Sequence, residues 1–282
     1  MNVLSLFDGM SCGRIALERA GIPVDKYYAS ELDKYAIKVT QANWHETIQL
    51  GDVTKWREWD IDWSIIDLLI GGSPCQGFSF AGKQLAFDDP RSKLFFVYVD
   101  ILNHIKSVNP SVKFLLENVK MKKEYLDLIS GYLGVIPVFI NSEVLSPCER
   151  PRYYWANFEI NKPDRVENKY LDYIVDYVEM SASWNVWWGK NKDFQIKKSY
   201  SRIVEQGMKG LTMKTRQYAS WNGNFFYKNG SLCKPGKKSL ALLVGAPENY
   251  FNQVSQRQAE ILTGNGWTVD VIAHIFKSIK PF

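Results

Sequence analysis

Cys75 follows the apolar run Leu68-Leu69-Ile70 through Gly71-Gly72-Ser73-Pro74. Glycines ahead of it and proline beside it give the chain a sharp exit, which argues against the packed, inert state that is the plain alternative for a lone cysteine. A thiol near its ordinary pKa is only slightly ionised at neutral pH, yet its thiolate is a strong nucleophile, so a positive local field is enough to activate it. Phe114-Leu115-Leu116 likewise ends on Glu117 and Asn118, repeating the pattern with a carboxylate at the end of an apolar strand. Glu149-Arg150-Pro151-Arg152 sets two guanidinium groups ahead of the aromatic run Tyr153-Tyr154-Trp155. Taken singly, Glu117 reads equally as a cap of the next helix, and Arg150 and Arg152 as charges on a solvated edge. A cysteine, a glutamate and paired arginines, each at a strand end of one sheet, are much harder to dismiss together as chance.

A second group lies at the start of the chain. Phe7-Asp8-Gly9-Met10-Ser11-Cys12-Gly13 joins an apolar strand to a helix, the strand, glycine turn and helix arrangement that brings backbone close to a nucleotide. Glu31 ends the next strand roughly 20 residues on, where a carboxylate binds ribose hydroxyls. Asp52 follows a further apolar patch in Gly51-Asp52-Val53. A carboxylate at Asp8 repels a pyrophosphate and suits an ammonium group, while the face of Phe7 attracts a sulfonium by a cation–π contact. This favours S-adenosylmethionine over a nicotinamide dinucleotide. The alternative is a tight turn at Gly9 and Gly13, with Glu31 and Asp52 as solvated loop acids.

The elements that must position these groups alternate along the first half of the chain. Short β-branched or aromatic runs at 3–7, 27–30, 68–71, 114–117, 135–141 and 153–157 are interleaved with helical spacing at 14–20, 34–42, 93–107 and 124–132. The expected fold is α/β: a Rossmann-like sheet, mostly parallel, with helices on both faces and a second, small irregular domain. The texture changes after Phe158, and 162–250 is richer in Lys, Asn, Gly and Trp with weak periodicity. We therefore expect a catalytic and cofactor-binding domain over 1–160, a small target-recognition domain over 161–255, and a C-terminal segment over 256–282 that returns to the first domain. That segment reads as a helix at 256–262, a turn at 264–266 and a helix at 269–278.

Composition bounds the rest. The 282 residues are 46% hydrophobic and 23% charged, enough for a large core, and the net charge of +5 permits nucleic acid without demanding it. Four dispersed cysteines without a CxxC pair argue against a zinc knuckle or disulfide framework, so no metal is expected. No stretch approaches the apolar length of a membrane span, and the start has no basic leader, from which a soluble cytoplasmic protein is expected. Lys190, Lys192, Lys197 and Lys198 read as backbone contacts to nucleic acid or as a solvated basic loop. Trp184, Trp187 and Trp188 read as stacking on nucleic acid or as packing of the small domain against the large one. His45, His104 and His274 have no partner at ligand spacing and no role is assigned to them.

Several of these segments together resemble the DNA cytosine-5 methyltransferase family. Phe7-Asp8-Gly9 is similar to its first cofactor motif, Pro74-Cys75-Gln76 to its nucleophile motif, Glu117-Asn118-Val119 to its glutamate motif and Arg150-Pro151-Arg152 to its RxR motif. Gly264-Asn265-Gly266-Trp267-Thr268-Val269 resembles its last motif, so the ordered motifs span essentially the whole chain. The opening Val3-Leu4-Ser5-Leu6-Phe7-Asp8-Gly9, together with 152–157 and 212–216, looks most like the animal de novo enzymes. Gln76-Gly77-Phe78-Ser79 looks like the bacterial and phage version, which points to a stand-alone microbial or viral enzyme.

The resemblance implies a reaction and a set of roles. Cys75 adds to C6 of cytosine, Glu117 neutralises the charge arising at N3, Arg152 holds O2, Asn118 orients the loop carrying Glu117, and Pro74 shapes the nucleophile turn. It implies S-adenosyl-L-methionine held by Phe7, Asp8, Gly9, Gly13, Glu31, Leu32, Asp52, Val53 and Pro74, with Asn265, Gly266 and Trp267 closing the pocket. It implies double-stranded DNA as partner, with the target base flipped out at a cost on the order of a few kcal/mol. DNA contacts fall to Gln76, Ser79, Lys83, Arg91, Arg150, Thr215 and Arg216, with Phe78, Phe80 and Gln84 filling the vacated stack. The protein is read as a monomer, with a homo-oligomer as the alternative. A tRNA cytosine-5 methyltransferase of the same family shares every catalytic motif, and an inactive DNA-binding relative is a further alternative, although Cys75 and Glu117 are both present.

Overall fold

The computed structural model of the protein describes residues 1–73, 93–218 and 222–279. The chain forms two compact units: Met1–Ile140, Pro151–Lys162 and Ile272–Phe282 in the first, Asn141–Arg150 and Pro163–Val271 in the second.

The first unit contains β1 (Asn2–Leu6), α1 (Cys12–Arg19), β2 (Lys26–Ser30), α2 (Lys34–Asn43), β3 (Ile48–Gln49), β4 (Leu68–Gly71), α3 (Lys93–Val108), β5 (Lys113–Val119), α4 (Lys123–Leu133), β6 (Val138–Asn141) and β7 (Pro151–Ala156). The strands form one sheet in the order β3-β2-β1-β4-β5-β7-β6. From β3 to β5 every pairing is parallel, and β7 runs antiparallel to β5. Val3 to Leu6 and Leu68 to Gly71 are buried at every position, as expected of inner parallel strands covered on both faces. Leu4, Leu69, Phe114, Leu116 and Trp155 of the sheet join Phe95, Tyr98 and Leu102 of α3 in one core. Asp33 caps α2 by accepting from the amides of Tyr35 and Ala36, and Gly134 closes α4 in the left-handed region. The strand expected at 135–141 begins only at Val138, because the chain must first leave that cap and pass Pro137.

In the second unit, β8 (Tyr177–Glu179), β9 (Ser201–Ile203), β10 (Gly223–Lys228) and β11 (Ser231–Pro235) make a four-stranded sheet in the order β8-β11-β10-β9. Helices α5 (Ala182–Lys197), α6 (Lys237–Val244) and α7 (Gln256–Asn265) lie in the same stretch of chain, and α8 (Val269–Phe276) runs across the division at 271/272. The expectation of irregular structure over 162–250 is therefore corrected. The sixteen-residue α5 escapes periodicity because only Trp188 is fully buried, while Val186, Phe194 and Ile196 on its other sides are exposed, which leaves no continuous apolar stripe. Trp184, Trp187 and Trp188 pack with Tyr218, Phe225 and Leu232, so these tryptophans build the second unit's own core. The segment expected to return as a whole from 256 is divided, with 256–271 clustering in the second unit and 272–282 in the first. Among the described residues no helix is long and apolar enough to cross a membrane.

Candidate active site

The strand order places the sequence-predicted groups along one edge. In the first unit the chain runs outward from β1 through β2 to β3 on one side, and from β4 to β5 on the other, so the reversal of order falls between β1 and β4. Ligands of open α/β sheets bind at such a reversal, beyond the carboxyl ends of the strands. Reading along that edge, Asp52 follows β3, Glu31 follows β2, Phe7 to Gly9 follow β1, Ser73 follows β4, and Glu117 and Asn118 end β5. Because β7 is antiparallel, its amino-terminal Arg152 lies at the same edge, opposite Val119.

At the β1 end the chain adopts a strained loop. Phe7 and Ser11 both have φ of 57°, in the left-handed region that a bulky side chain seldom enters. The loop is fastened from below. The Asp8 amide donates to the Ser30 carbonyl at 3.1 Å. The Asp8 carboxylate accepts the Tyr27 hydroxyl at 2.8 Å and the Ser11 hydroxyl. Burial lifts this carboxyl to about 6, against the opposing pull of Ser11, Ser5 and Tyr27 as hydrogen-bond donors. Asp8, expected beside an ammonium group, therefore accepts from hydroxyls of the protein itself and braces the turn. Early in α1, a Cβ added at Gly13 would lie 2.4 Å from the Ile70 Cδ1 and 3.1 Å from the Tyr27 hydroxyl, so a larger residue there requires those side chains to shift.

The next two strand ends are laced to this loop. The Glu31 Oε2 accepts the Gly9 amide at 2.7 Å, and its Oε1 accepts the amides of Leu32 at 2.7 Å and Asp33 at 2.8 Å. Ser30 donates its hydroxyl to the Gly51 carbonyl at 2.7 Å, tying the β2 end to the Gly51-Asp52 turn. The Leu32 side chain is 69% exposed beside it. Asp52 is held below the usual carboxylate range, chiefly by the Thr54 amide and then by its hydroxyl, while Val53 is buried beneath.

On the other side of the reversal, Glu117 and Val119 share a face of β5, and the register opposite Val119 brings Arg152 onto that face. The Arg152 Nε donates to the Glu117 Oε1 at 2.7 Å, with both side chains close to nine-tenths buried. Asn118 faces the other way. Its Nδ2 donates to the Ser73 hydroxyl at 3.2 Å and to the Ser73 carbonyl at 3.4 Å, and its Oδ1 accepts the Val119 amide at 2.8 Å. It thus grips the residue that precedes Pro74. This contact was missed from sequence, since nothing in the spacing of Ser73 and Asn118 shows that β4 and β5 are neighbours. Pro74, Cys75, Gln76, Ser79, Lys83 and Arg91 lie outside the described residues. Cys12, Cys148 and Cys233 are all buried, and burial pushes the Cys148 thiol up to about 12.

The remaining predicted groups belong to the second unit. Arg150, expected at DNA, is corrected to an interior brace. It is 8% exposed, and its guanidinium donates to the carbonyls of Met213 and Gly264 at 3.3–3.4 Å. Thr215 is half-buried and Arg216 exposed. Asn265 is exposed at the end of α7, Gly266 is buried as its cap, and Trp267 is half-buried. Lys190, Lys192, Lys197 and Lys198 are exposed on or just after α5. Two of the three histidines have plain structural contacts: His104 packs on Trp56 and Trp63, and His274 bonds the Asn161 carbonyl through Nε2 at 2.9 Å.

A family profile described as C-5 cytosine-specific DNA methylase matches residues 1–125. The type II methyltransferase M.NlaX of Neisseria lactamica is 30% identical over 99% of this chain and 96% of its own length. The type II methyltransferase M1.ScrFI of Lactococcus lactis subsp. cremoris is 31% identical over 96% of this chain and 75% of its own. Among solved structures, the Entamoeba histolytica methyltransferase EhMeth superposes with a TM-score of 0.78 at 18% identity, covering 100% of this chain and 99% of that one. The S. pombe Dnmt2 methyltransferase gives 0.70 at 18% identity, covering 98% and 97%. With relatives 30–31% identical over 96–99% of its length, the chain belongs to the C-5 cytosine-specific DNA methylase family.

Proposed function

We propose that this chain methylates C5 of a cytosine flipped out of duplex DNA, through a transient bond from the Cys75 thiolate to C6. The observation that carries this reading is the Glu117–Arg152 pair, joined at 2.7 Å on the sheet edge beside the strand that leads to Cys75. S-adenosylmethionine, the family's methyl donor, supplies an electrophilic methyl group when bound. The residues of the β1–β3 ends suit it. A carboxylate offers about four lone-pair sites; three of those on Glu31 are engaged by amides, which leaves one for a ribose hydroxyl. Exposed Leu32 gives an apolar surface for the adenine, and Asp52 an ionised acceptor for its amino group.

Cytosine C5 is a poor nucleophile until something adds to C6. Attack by the Cys75 thiolate forms the S–C6 bond and moves the C5–C6 electron pair into the ring, toward C5 and N3. Glu117 holds a proton at N3, so the ring does not carry the full negative charge. The Arg152 guanidinium has five N–H donors; its Nε is engaged by Glu117 and one at NH1 by the Pro151 carbonyl, so donors remain for O2 of the base. Asn118 fixes Ser73, the last described residue before Cys75. Once C5 is methylated, loss of its proton to water restores the double bond and expels the thiolate. The second unit is proposed to carry target recognition through Thr215 and Arg216, and Gln76, Ser79, Lys83 and Arg91 are proposed as DNA contacts on sequence alone.

Duplex DNA with 5-fluorocytosine at the target tests the covalent step. Fluorine cannot leave as a proton, so the enzyme should be trapped, only with S-adenosylmethionine present, in a complex that survives denaturing electrophoresis and maps to Cys75. Cys75→Ala should abolish both adduct and methylation while retaining most duplex affinity, because phosphate contacts dominate binding. An adduct at Cys12, Cys148 or Cys233, or methylation by Cys75→Ala, refutes the mechanism. Methyl incorporation into tRNA but not DNA refutes the substrate.

A further inference from the structure

From Met213 to Gln217 the side chains alternate in exposure: Lys214 and Arg216 are exposed, Met213 and Gln217 are buried, and Thr215 between the two exposed residues is half-buried. A short turn does not impose such alternation by itself. Here it is imposed from α7. Arg257 donates through NH1 to the Gln217 carbonyl at 2.6 Å and through NH2 to the Thr215 carbonyl at 3.1 Å, so one planar guanidinium clamps the backbone on both sides of Arg216. The Gln217 side chain, 1% exposed, donates to the Glu260 carbonyl at 2.8 Å and to the Thr263 hydroxyl at 3.0 Å. At the end of α7 an added Cβ on Gly264 would lie 2.3 Å from the Lys214 carbonyl carbon and the Thr215 amide nitrogen. Helix and turn therefore meet backbone to backbone.

The clamp is itself fixed by a buried charge. Glu260, 1% exposed, pairs with Arg257 at 3.1 Å and with Lys234 of β11 at 2.7 Å, and accepts Gln256 Nε2 at 3.1 Å. A buried carboxylate with two cations is costly to place and strongly destabilising to break, so it holds one geometry where flexible apolar packing would allow several. No group of this network is a candidate for chemistry on a base or a cofactor. Its geometric output is the outward direction of Lys214 and Arg216.

We propose that Arg257, held by Glu260, is a positioning residue for target recognition, setting the backbone so that Lys214 and Arg216 reach DNA in one orientation. This rests on the reading that Arg216 touches the target duplex. The test is methylation of a duplex library with randomised bases around the target cytosine, together with kcat and KM on the preferred sequence. Arg216→Ala and Arg257→Met should each relax preference at the same base position, by about five- to hundredfold as for a lost base contact. The double variant should be no more relaxed than either single one. Turnover of Arg257→Met on the preferred duplex should stay within about threefold, and Arg257→Lys, which keeps one donor to a carbonyl, should restore part of the preference. If Arg257→Met does not fold, Glu260→Gln carries the same expectations. Preference unchanged in Arg257→Met while Arg216→Ala relaxes it overturns the positioning role and leaves the recognition reading standing. Preference unchanged in both variants overturns the recognition reading and this proposal with it. A uniform rise in KM across all sequences makes Arg257 a general scaffold and also overturns it.

Discussion

Asp8 lies beneath the loop at the β1 end, where burial lifts its carboxyl from the 3.8 of a free side chain to about 6. Between those two pH values the unfolded chain binds fewer protons than the folded one, so the contribution of Asp8 to stability is fully present below about pH 4 and is lost as pH rises through 6. At about 1.4 kcal/mol per pH unit the loss amounts to about 3 kcal/mol. Asparagine does not titrate, and it keeps an oxygen for the Tyr27 hydroxyl, which sits at 2.8 Å. Its amide weakens the Ser11 contact, at a cost of about 1 kcal/mol. Asp8→Asn should therefore be more stable than the parent by about 1–2 kcal/mol at pH 7.5 and less stable than it below pH 4.5. Urea denaturation followed by tryptophan fluorescence at half-unit steps from pH 4.5 to 7.5 measures the difference, in which all other carboxylates cancel. Two curves separated by a constant offset across that range would show that Asp8 is not the buried acid described here.

Asn118→Ala removes both donors to Ser73 and leaves a buried hydroxyl and carbonyl to find other partners; we expect about 1–3 kcal/mol of lost stability, and turnover reduced at least tenfold with cofactor affinity unchanged. Glu31→Ala and Asp52→Ala should both weaken S-adenosylmethionine binding in calorimetry. Only Glu31→Ala should also lower the melting temperature, because three backbone amides lose their acceptor, whereas Asp52 caps a single turn. Equal melting temperatures for the two variants would contradict that difference.

Most of the sheet edge was legible in the sequence because its strands are buried on both faces and end abruptly in glycine, acid or proline. Glu31, Asp52 and Glu117 were found as residues following apolar runs and Arg152 as one preceding an aromatic run, and the parallel order, with the antiparallel β7, brought them to one edge. What could not be read is what depends on neighbours distant along the chain. Asn118 was assigned to its own loop, and only the pairing of β4 with β5 reveals its hold on Ser73. Asp8 was given an outward role because its inward partner Tyr27 lies on another strand. Arg150 and Arg152 looked alike, yet they are held by different units, one by carbonyls in the second and the other by Glu117 in the first. Helix α5 was hidden by its chemistry: tryptophans bury one short stretch, and its other apolar side chains face solvent.

The antiparallel pairing of β7 with β5 has a consequence for which changes in chain length the site tolerates. Arg152 meets Glu117 only because five successive residue pairs, from Val119 opposite Arg152 to Leu115 opposite Ala156, keep their register. Side chains on a strand alternate with period two, so one residue added between Arg152 and Tyr153 turns the guanidinium to the opposite face and empties the pair at a stroke. The same residue added in the turn at Gly134, between α4 and β6, leaves that register untouched. Length can drift in the connections of this fold, but not within the six residues of β7.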